Sequence, residues 1–358
     1  MADLLPGGVH PWHVLDESKA GHYSQLQLKR CLEDRNPLLP LMEDKHRSRE
    51  LVASKEVCHL TELYHWSEDV TIDWDNLPER CVIKTNHWSG DALFIMDNGP
   101  VPLANVPRKL RLFSRTDNRY RVIRNWRDQN GKPWPKWRIE RTLRWCLRQP
   151  FPAPIEWGAA NIKPRGVMIE ELLTDDNHLP NDWKVHVFHG KAGFIQYDTG
   201  RMTSHSQSIY TLDGQRIHQT NGRWSEEHTP DEIVSILGRE RIDELIHIGE
   251  RLAEDIDYAR VDLFLADGKW YFGEFTNYHN SCHPQSIEWE ELAGGLWLNE
   301  PDSDSIHCKS SGRREPSKGP AWNHPSSQEN LWPRAAQALL ISTTKRSNPF
   351  RKPALTWR

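Results

Sequence analysis

The sequence lacks long apolar runs and paired cysteine motifs. Apolar residues make up 37% of its 358 residues, and no stretch approaches the ~20 consecutive apolar residues that span a bilayer. Its six cysteines are scattered without a CxxC pair, which argues against a disulfide framework and against a zinc ribbon. The first residues do not join a basic stretch to an apolar one, as a secretion signal would. We therefore expect a soluble, cytoplasmic protein without a membrane span.

Tryptophan, by contrast, is abundant, and the charge is unevenly distributed. The 17 tryptophans are too many for a disordered chain, and the length suffices for two or three subdomains with sizeable cores. The net charge of −4 is uneven, because residues 305–358 carry ten Lys or Arg against two Glu, which leaves −12 for residues 1–304. We interpret the basic tail as disordered, and the acidic body argues against nucleic acid as the main partner.

The hydrophobic pattern predicts helices and strands in mixed order, which is typical of the α+β class. Helices are expected over residues 24–33, 44–55, 58–64, 138–148 and 230–254. Strands are expected over residues 81–84, 92–96, 166–170, 184–188, 192–197, 208–212, 259–265 and 269–276. The last two strands are predicted to form a hairpin.

This hairpin carries the clearest chemical signal, because its arms contain Asp262 and Glu274. Side chains alternate along a strand, so the two carboxylates share a face in one register and not in the next. A three-residue loop of Ala266, Asp267 and Gly268 places them diagonally on the same face, whereas a two-residue Asp-Gly turn places them on opposite faces. A shared metal site therefore predicts the three-residue loop.

Two carboxylates with few thiol or imidazole neighbours suit a hard cation such as Mg²⁺ that also binds phosphate oxygens. Arg260, on the same arm as Asp262, adds a fork of donors for a phosphate or a carboxylate. The alternative is an edge hairpin in which Arg260 and Glu274 form only a cross-strand ion pair. Spacing alone leaves both interpretations open.

Two other strand ends carry weaker signals. Lys84 ends a predicted strand and enters a turn whose backbone N–H groups are suited to hold phosphate, although lysines at strand ends are commonly just solvated. Glu170 and Glu171 are placed to receive an adenine amino group or a ribose hydroxyl, and the alternative for them is a helix N-terminus favoured by its acids.

Two further candidates are poorer. His279, Cys282 and His283 lie close together, but no fourth ligand follows at a standard zinc spacing. Residues 115–145 are rich in Arg and Trp, which suits a mobile lid or, as the alternative, the binding of nucleic acid or sugar.

In chain order, a lysine for phosphate, an acidic hinge and a distal Asp/Glu hairpin resemble an ATP-grasp enzyme. Residues 41–282 are similar to the TupA-like ATP-grasp family, named for teichuronopeptide biosynthesis. The matching segments are MEDKHRSRELV from Met42, CVIKTNHWSG from Cys81, EWGAANIKPRGVMIEELL from Glu156, DWKVHVFHGKAGFIQYD from Asp182 and YARVDLFLADGKWYFGEFTNY from Tyr258. Several long motifs in the right order make chance similarity improbable.

The resemblance implies an ATP-grasp fold, in which two α+β subdomains hold ATP in the cleft between them. It also implies that a carboxylate is activated as an acyl phosphate and attacked by an amine or a similar acceptor, with ATP and Mg²⁺ as cofactors. Such chemistry relies on positioning and on cations that neutralise phosphates, so it needs no nucleophilic Ser or Cys. The implied setting is cell-surface polysaccharide or peptide-polymer biosynthesis. The alternatives are a glycosyl- or phosphotransferase of that pathway and a catalytically degenerate relative that binds nucleotide or glycan.

The resemblance also assigns roles to individual residues. Catalytic roles fall to Lys84 and Arg260. The implied metal ligands are Asp262, Glu274, Thr276 and Asn277. The implied ATP contacts are Lys84, Asn86, Ser89, Gly90, Lys163, Glu170, Glu171, Leu172, Leu173, Asp182, Lys184 and Arg201. Within that set, the four residues from Glu170 form the adenine hinge, and Asp182 faces the ribose.

The resemblance divides the chain into five parts. These are an N-terminal extension (1–38), a helical N-terminal subdomain (39–80), a first ATP-grasp subdomain with the lid (81–170), a second with the metal hairpin (171–300) and the basic tail (301–358).

The chain departs from the family pattern in three places. Trp88 stands where the family's first loop has a glycine, and its bulk is expected to narrow the phosphate approach. The tripeptide SQS from Ser206 replaces Arg-Arg-Asn, so that Arg201 or His205 would have to supply the missing cation. The tetrapeptide HNSC from His279 replaces Pro-Gly-Ser-Gly, which alters the acceptor side.

Overall fold

The structure, a computed structural model, describes residues 11–88, 93–104, 120–200, 204–220 and 225–299. Contacts divide the chain into two units, residues 15–301 and residues 1–14 with 302–358. Within the latter unit, residues 11–14 are described and contain one 3₁₀ turn, Pro11–His13. The predicted tail, residues 301–358, lies outside the described residues. All elements named below belong to the unit of residues 15–301.

The described helices and strands alternate irregularly along the chain. The α-helices are α1 (Tyr23–Glu33), α2 (Leu38–Glu43), α3 (Ser48–Lys55), α4 (Lys136–Arg148), α5 (Trp157–Ala160), α6 (Val234–Leu237), α7 (Arg239–Leu252) and α8 (Ile287–Leu298). The strands are β1 (Leu63–Ser67), β2 (Arg80–Thr85), β3 (Leu93–Asp97), β4 (Tyr120–Ile123), β5 (Val167–Glu171), β6 (Asp182–Phe188), β7 (Lys191–Thr199), β8 (Ser206–Tyr210), β9 (Arg216–Ile217), β10 (Tyr258–Ala266) and β11 (Lys269–Thr276).

The strands form two sheets. The first has the order β1-β5-β2-β3-β4, and the second has the order β11-β10-β6-β7-β8-β9. All pairs are antiparallel except β3 with β4. Mainly antiparallel sheets with helices packed on them are characteristic of the α+β class, so the predicted class is confirmed.

The first sheet has one apolar face and one mixed face. Ile83 and Ile169 on its apolar face pack against Ile139 and Leu143 of α4. These helix residues are four apart and therefore lie on one side of α4. Because side chains alternate along a strand, Lys84 on β2 projects from the opposite face.

The second sheet is arranged in the same way. Val185 of β6 and Val261 of β10 belong to a large buried cluster that includes Leu245 and Ile248 of α7. Alternation then places Lys184 and its neighbours on the other face. One end of that face is covered by aromatic side chains of α1 and α8, and the other end carries the polar residues of the candidate site.

Two predicted helices are wrong. Residues 58–64 are not helical, because their backbone pairs with strands: His59 N–H donates to the Trp270 carbonyl (2.8 Å), and Phe272 N–H donates to the His59 carbonyl (2.8 Å). Residues 230–254 do not form one helix, because Gly238 has φ 75° and ψ 158° and separates α6 from α7. Glycine alone adopts that conformation without strain.

Among the described residues, no helix combines the length and the apolar character needed to traverse a membrane.

Candidate functional site

Lys184 lies at the centre of the polar face of the second sheet. Its Nζ is 3.1 Å from Asp182 Oδ1, 3.0 Å from Asp262 Oδ2 and 3.7 Å from Asp198 Oδ2. Burial acts to lower the pKa of this ammonium group, but the three carboxylates outweigh it and raise the pKa above its ordinary value. Lys184 therefore stays charged and holds together acids from three strands.

Arg260 fixes the orientation of Asp262. Its Nε donates to Asp262 Oδ1 (2.6 Å), its Nη2 donates to Asp262 Oδ2 (2.7 Å), and Nη2 also donates to Thr276 Oγ1 (2.9 Å). A bidentate pair of this kind is strong and directional. Burial opposes the charge of Arg260, but Asp262 outweighs it, so the pKa of the guanidinium is raised.

The hairpin of β10 and β11 differs from its prediction at the turn. Ala266 pairs with Lys269, so the turn has two residues, Asp267 (φ 49°) and Gly268 (φ 71°). The predicted three-residue loop is therefore wrong.

Asp262 and Glu274 nevertheless share a face. The register shifts between Asp262 and Leu263, where Gly273 is the extra residue, and Asp262 pairs directly with Glu274. A bulge adds one residue to one strand and so inverts the alternation beyond it. The shorter turn alone would place Glu274 on the face opposite Asp262. The bulge returns Glu274 to the same face as Asp262.

The first sheet contributes Lys84, which forms an ion pair with Glu170 of the neighbouring strand β5. Glu170 also accepts a hydrogen bond from Thr61 Oγ1 (3.2 Å) and lies 3.5 Å from Arg49 Nη1. Two cations thus neutralise one carboxylate at the end of β5, and Lys84 is held in position by it.

Glu274 is where charges from the two sheets meet. Lys45, in the turn before α3, has its Nζ 3.3 Å from Glu274 Oε2. Burial acts to raise the pKa of Glu274, but Lys45, Arg260, Lys184 and Lys84 together lower it to about 2. Because Lys84 belongs to the first sheet, the pKa of Glu274 in the second sheet is influenced by cations of both sheets.

A cavity with about 930 Å³ of empty space, part of it open to solvent, lies beside these groups. Its lining includes six of the residues that were assigned to ATP, namely Lys84, Glu170, Glu171, Leu172, Leu173 and Asp182. Its other lining residues are Thr61, Val82, Leu93, Ile95, Leu179, Pro180, Asn181, Asp198, Gly200, Phe264, Phe272 and Gly273. The leucines make one end apolar, whereas Lys84 and Asp182 make another part polar.

Three other predicted ATP contacts that the structure describes, Asn86, Lys163 and Lys184, are not in this lining. Asn86 is fully buried, and its carboxamide donates to Asp44 Oδ1 (3.0 Å) and accepts from Gly166 N–H (2.9 Å). It therefore ties the loop after β2 to two other segments. Lys163 is exposed in the loop before β5. Ser89, Gly90 and Arg201 lie outside the described residues.

Asn277, a predicted metal ligand, is fully buried, and neither polar atom of its carboxamide has a hydrogen-bond partner among the described residues. Its backbone N–H donates to Glu43 Oε1 (2.6 Å). Burial raises the pKa of Glu43 to about 7, against the effects of Asn277 and Lys45. A buried amide without a partner is unusual and is compatible with an oxygen ligand for a metal.

The donor set fits Mg²⁺. Asp262 and Glu274 offer hard oxygen atoms from directly paired positions. Within the described ranges, no group of three or more His, Cys, Asp or Glu residues suited to a metal is present. Mg²⁺ is commonly bound through one or two carboxylates and substrate phosphates, without a complete protein cage, so two carboxylates are a sufficient set.

The departures from the family pattern are placed as follows. Trp88 packs against the apolar core of the first sheet, with its ring 5.5 Å from that of Trp145, so its indole does not line the cavity. Ser208 is buried and shares a hydrogen bond with Thr229 (2.6 Å). His205 Nε2 lies 3.6 Å from Asp198 Oδ2, at the edge of the acidic cluster around Lys184.

The weak zinc candidate has other contacts. His279 is buried and stacks on Trp289 with ring centroids 5.0 Å apart, and Cys282 Sγ lies 3.3 Å from Cys31 Sγ. His283 Nδ1 lies 2.8 Å from the Pro284 carbonyl. These three residues therefore contact three different partners.

Sequence reasoning missed Lys45, Glu43, Arg49 and Asp198. The first three lie in MEDKHRSRELV, a segment that matches the family but received no role. The local sequence does not connect these charged residues with the site, because Glu274 on β11, the partner of Lys45, lies more than two hundred residues further along the chain. The family match of this segment was the available signal.

Comparison with known proteins confirms the family resemblance over part of the chain. Residues 157–294 match the model of the TupA-like ATPgrasp family. This segment runs from α5 into α8 and contains the whole second sheet and β5 of the first, so the predicted ATP-grasp fold is confirmed here. No curated protein matches the sequence.

Among similar solved structures, the VanG D-Ala:D-Ser ligase from Enterococcus faecalis is 12% identical, with a TM-score of 0.37, and the match covers 72% of this chain and 61% of that one. The D-alanine–D-alanine ligase from Bacillus anthracis complexed with ATP is 15% identical, with a TM-score of 0.35 and coverages of 72% and 62%. The ATP-grasp ligase PsnB with its minimal precursor is 12% identical, with a TM-score of 0.32 and coverages of 73% and 60%. The matches span about three fifths of the length of those proteins.

Proposed function

We propose that this protein is an ATP- and Mg²⁺-dependent ligase of the ATP-grasp type, which activates a carboxylate as an acyl phosphate for attack by an amine or a similar acceptor. The observation that supports this most is that Lys84 of the first sheet and Asp182 and Asp198 of the second line one cavity, while Lys184 joins those two acids to Asp262. The apolar end of the cavity suits a base, and the cations suit phosphates. The match to the TupA-like ATPgrasp family supports the same chemistry.

In this proposal the protein contributes position and charge. The four residues from Glu170 receive the adenine, and Asp182 faces the ribose while Lys184 holds its carboxylate. Lys84 turns from Glu170 to the phosphates, and Arg260 approaches the transferred phosphate from its fixed position on Asp262. Asp262 and Glu274 hold Mg²⁺, with Thr276 and Asn277 as further ligands, and the bound ion neutralises phosphate oxygens.

The finer assignments are also proposals. The substrates are a small-molecule or polymer carboxylate and an acceptor, in cell-surface polysaccharide or peptide-polymer biosynthesis. The chain is divided at residues 38, 80, 170 and 300, and the two ATP-grasp subdomains are residues 81–170 and 171–300. The carboxamide of Asn277, which has no hydrogen-bond partner among the described residues, lies between the end of β11 and the HNSC segment from His279.

The decisive experiment uses hydroxylamine to trap an acyl phosphate. The protein is incubated with ATP, Mg²⁺, hydroxylamine and a panel of uronic acids and acidic peptides, and hydroxamate and ADP are measured. A ligase gives both products together only with the right carboxylate, whereas a phosphotransferase phosphorylates the acceptor itself. Glu274→Gln is expected to abolish both, and Glu50→Gln, an exposed change on α3, to leave both intact. No heat on titration with MgATP at millimolar concentration would defeat the proposal, and equal ADP release by Glu274→Gln would indicate a contaminant.

A further inference from the structure

We propose that the outer face of α4 binds an acidic polysaccharide, a polymer whose sugar rings carry carboxylates. This face, the α4 stripe, consists of Trp137, Arg141, Arg144, Trp145 and Arg148. Residues four, seven, eight and eleven positions after the first lie on one side of a helix. The inference deepens the proposed function, on which its choice of carboxylates rests, by giving a polymer substrate a docking surface outside the cavity lining.

The α4 stripe is exposed because the opposite side of the helix packs on the first sheet. Ile139 and Leu143 on that opposite side are fully buried, whereas Trp137 is 61% and Trp145 is 49% exposed. With Trp126, they are the three exposed tryptophans in the part of the chain that the structure describes. Single exposed apolar residues are ordinary, but their grouping on one surface is a feature of binding sites.

The stripe is also strongly cationic. Helix α4 has five cations and one acid, Glu140, whereas residues 1–304 as a whole carry −12. Glu140 pairs with Arg144 (2.8 Å). Arg141 and Arg148 are exposed and form no ion pair within the described ranges. Their guanidinium groups are therefore available to bind carboxylates through paired hydrogen bonds.

Both ends of the stripe are joined to further tryptophans. The ring of Trp145 lies 5.5 Å from that of Trp88, at an interplanar angle of 73°. Trp88 replaces the glycine of the family pattern and packs on the core of the first sheet, so it supports Trp145 in its position. At the N-terminal end of α4, Lys136 Nζ lies 5.8 Å from the ring centroid of Trp126. The departure at position 88 is thus part of the support of this surface.

The alternation of rings and cations indicates the kind of ligand. Trp137 and Trp145 are about 12 Å apart along the helix axis, at 1.5 Å per residue, and Arg141 lies midway between them. A sugar ring has an apolar C–H face that packs on an indole, and a carboxylate on the same polymer can pair with a guanidinium group. A polymer of carboxylated sugar rings presents both groups repeatedly.

Other anionic partners fit the stripe less well. A membrane surface requires an apolar helix face that inserts among the lipids, but Arg141 and Arg144 separate the two tryptophans of the stripe. A nucleic-acid duplex carries one charge per about 1.7 Å, and the acidic body repels so dense a charge. Among less dense anionic polymers, the proposed function favours one that displays carboxylates, because its reaction activates a carboxylate.

The test compares defined oligomers by isothermal titration calorimetry with the full chain. Octagalacturonate has both sugar rings and carboxylates, whereas maltooctaose has only the rings and octaglutamate has only the carboxylates. We expect octagalacturonate to bind at least about fivefold more tightly than either partial probe, because it alone engages the tryptophans and the arginines together.

Variants then locate the binding on the stripe. Trp137→Ala should weaken octagalacturonate binding about tenfold, as for the loss of one stacked ring, and Trp137→Tyr should retain most of the affinity because it keeps an aromatic face. Arg141→Gln should weaken binding by a similar factor at low salt and by less at high salt. Ile236→Ala and Arg251→Gln, which change exposed residues elsewhere in the same unit, are the matched controls and should bind like the wild type.

The assignment is overturned if the wild type does not bind octagalacturonate, or if Trp137→Ala and Arg141→Gln bind it unchanged while melting like the wild type. Tighter binding of octathymidylate or of phosphatidylglycerol vesicles would also overturn it, since the stripe would then be a nucleic-acid or a membrane surface. MgATP is titrated in parallel and should bind all these variants equally. If the stripe binds octagalacturonate but the protein binds no MgATP, the proposed function fails and the polysaccharide surface stands, whereas the reverse result removes the surface and leaves the proposed function in place.

Discussion

At the scale of single residues, the carboxyl group of Glu156 is buried, and none of the described cations forms an ion pair with it. It is 5% exposed and accepts a hydrogen bond from the Ser281 hydroxyl. Burial raises its pKa from an ordinary 4.5 to about 8, although the Ser281 hydroxyl opposes the shift. The folded state therefore holds this proton more tightly than the unfolded state does. Its contribution to stability is complete at low pH and is lost as the pH rises from about 4.5 to about 8.

Replacing Glu156 with Gln should remove this pH dependence while keeping an oxygen for Ser281. Glu156→Gln is expected to be more stable than the wild type by a margin that widens between pH 4.5 and 8 and reaches the order of a few kcal/mol. Urea unfolding across this range measures the margin, and the exposed Glu50→Gln serves as control. A margin that is constant with pH would show that the Glu156 carboxyl is not protonated in the folded state.

Asp262 and Glu274 form a pair whose members should respond differently to mutation. Asp262 is 3% exposed and bonded to Lys184 and Arg260, so Asp262→Asn leaves buried Arg260 without its paired carboxylate, removes one of the three carboxylates around Lys184, and should cost about 3–5 kcal/mol of stability. The Glu274 side chain is 39% exposed, so Glu274→Gln should change stability by about 1 kcal/mol or less. Both variants should lose Mg²⁺-nucleotide binding, measured by calorimetry beside chemical unfolding. Wild-type affinity in Glu274→Gln would remove Glu274 from the metal site.

At the scale of elements, the bulge at Gly273 decides whether the two carboxylates face the same side. A Cβ at position 273 would lie 2.8 Å from Phe264 Cε2 and 3.1 Å from the Asp262 carbonyl oxygen. Gly273→Ala should therefore cost about 1–3 kcal/mol through strain and weaken Mg²⁺-nucleotide binding by displacing Glu274. Gly295→Ala is the control, since a Cβ there meets nothing within 4 Å. Unchanged stability and binding in Gly273→Ala would mean that the register tolerates a side chain at the bulge.

The same hairpin illustrates what the sequence can and cannot predict. Its two arms were predicted within one residue, because alternating apolar residues around Asp-Gly are a strong local signal. The turn length was not, because Ala266, Asp267 and Gly268 fit either turn, and the choice depends on how Phe264 and Asp262 pack against Gly273. A glycine inside a strand is a recognised indication of a bulge, and it was the signal available here.

The helix predictions show the same difference between local patterns and long-range contacts. The helix over residues 138–148 agrees with its prediction, because Ile139 and Leu143, which pack α4 on the first sheet, are four residues apart in the sequence. Residues 58–64 were predicted as a helix because their pairing with β11 is a long-range contact that local pattern cannot contain. Lys45 was overlooked for the same reason, as its partner Glu274 is close only in the folded chain.

At the scale of the whole unit of residues 15–301, the site is assembled from three regions: the first sheet, the second sheet and the turn before α3. Five carboxylates and five cations of the described residues meet there, namely Glu170, Asp182, Asp198, Asp262, Glu274, Lys45, Arg49, Lys84, Lys184 and Arg260. These ten charges sum to zero, so they provide no surplus positive charge, and the triphosphate of the proposed function would require a divalent cation to supply it.

Nucleotide binding should therefore depend on metal in proportion to the number of phosphates. In EDTA, the affinity for ATP is expected to fall at least about tenfold relative to Mg²⁺, because the phosphates would meet Asp262 and Glu274 directly. Adenosine, which carries no phosphate and reaches only the apolar hinge, should bind with the same affinity in both conditions. Calorimetry with both ligands in both buffers measures this. Equal affinity for ATP with and without Mg²⁺ would mean that Lys45, Lys84 and Arg260 suffice to bind the phosphates, and that the paired acids serve only to hold those cations.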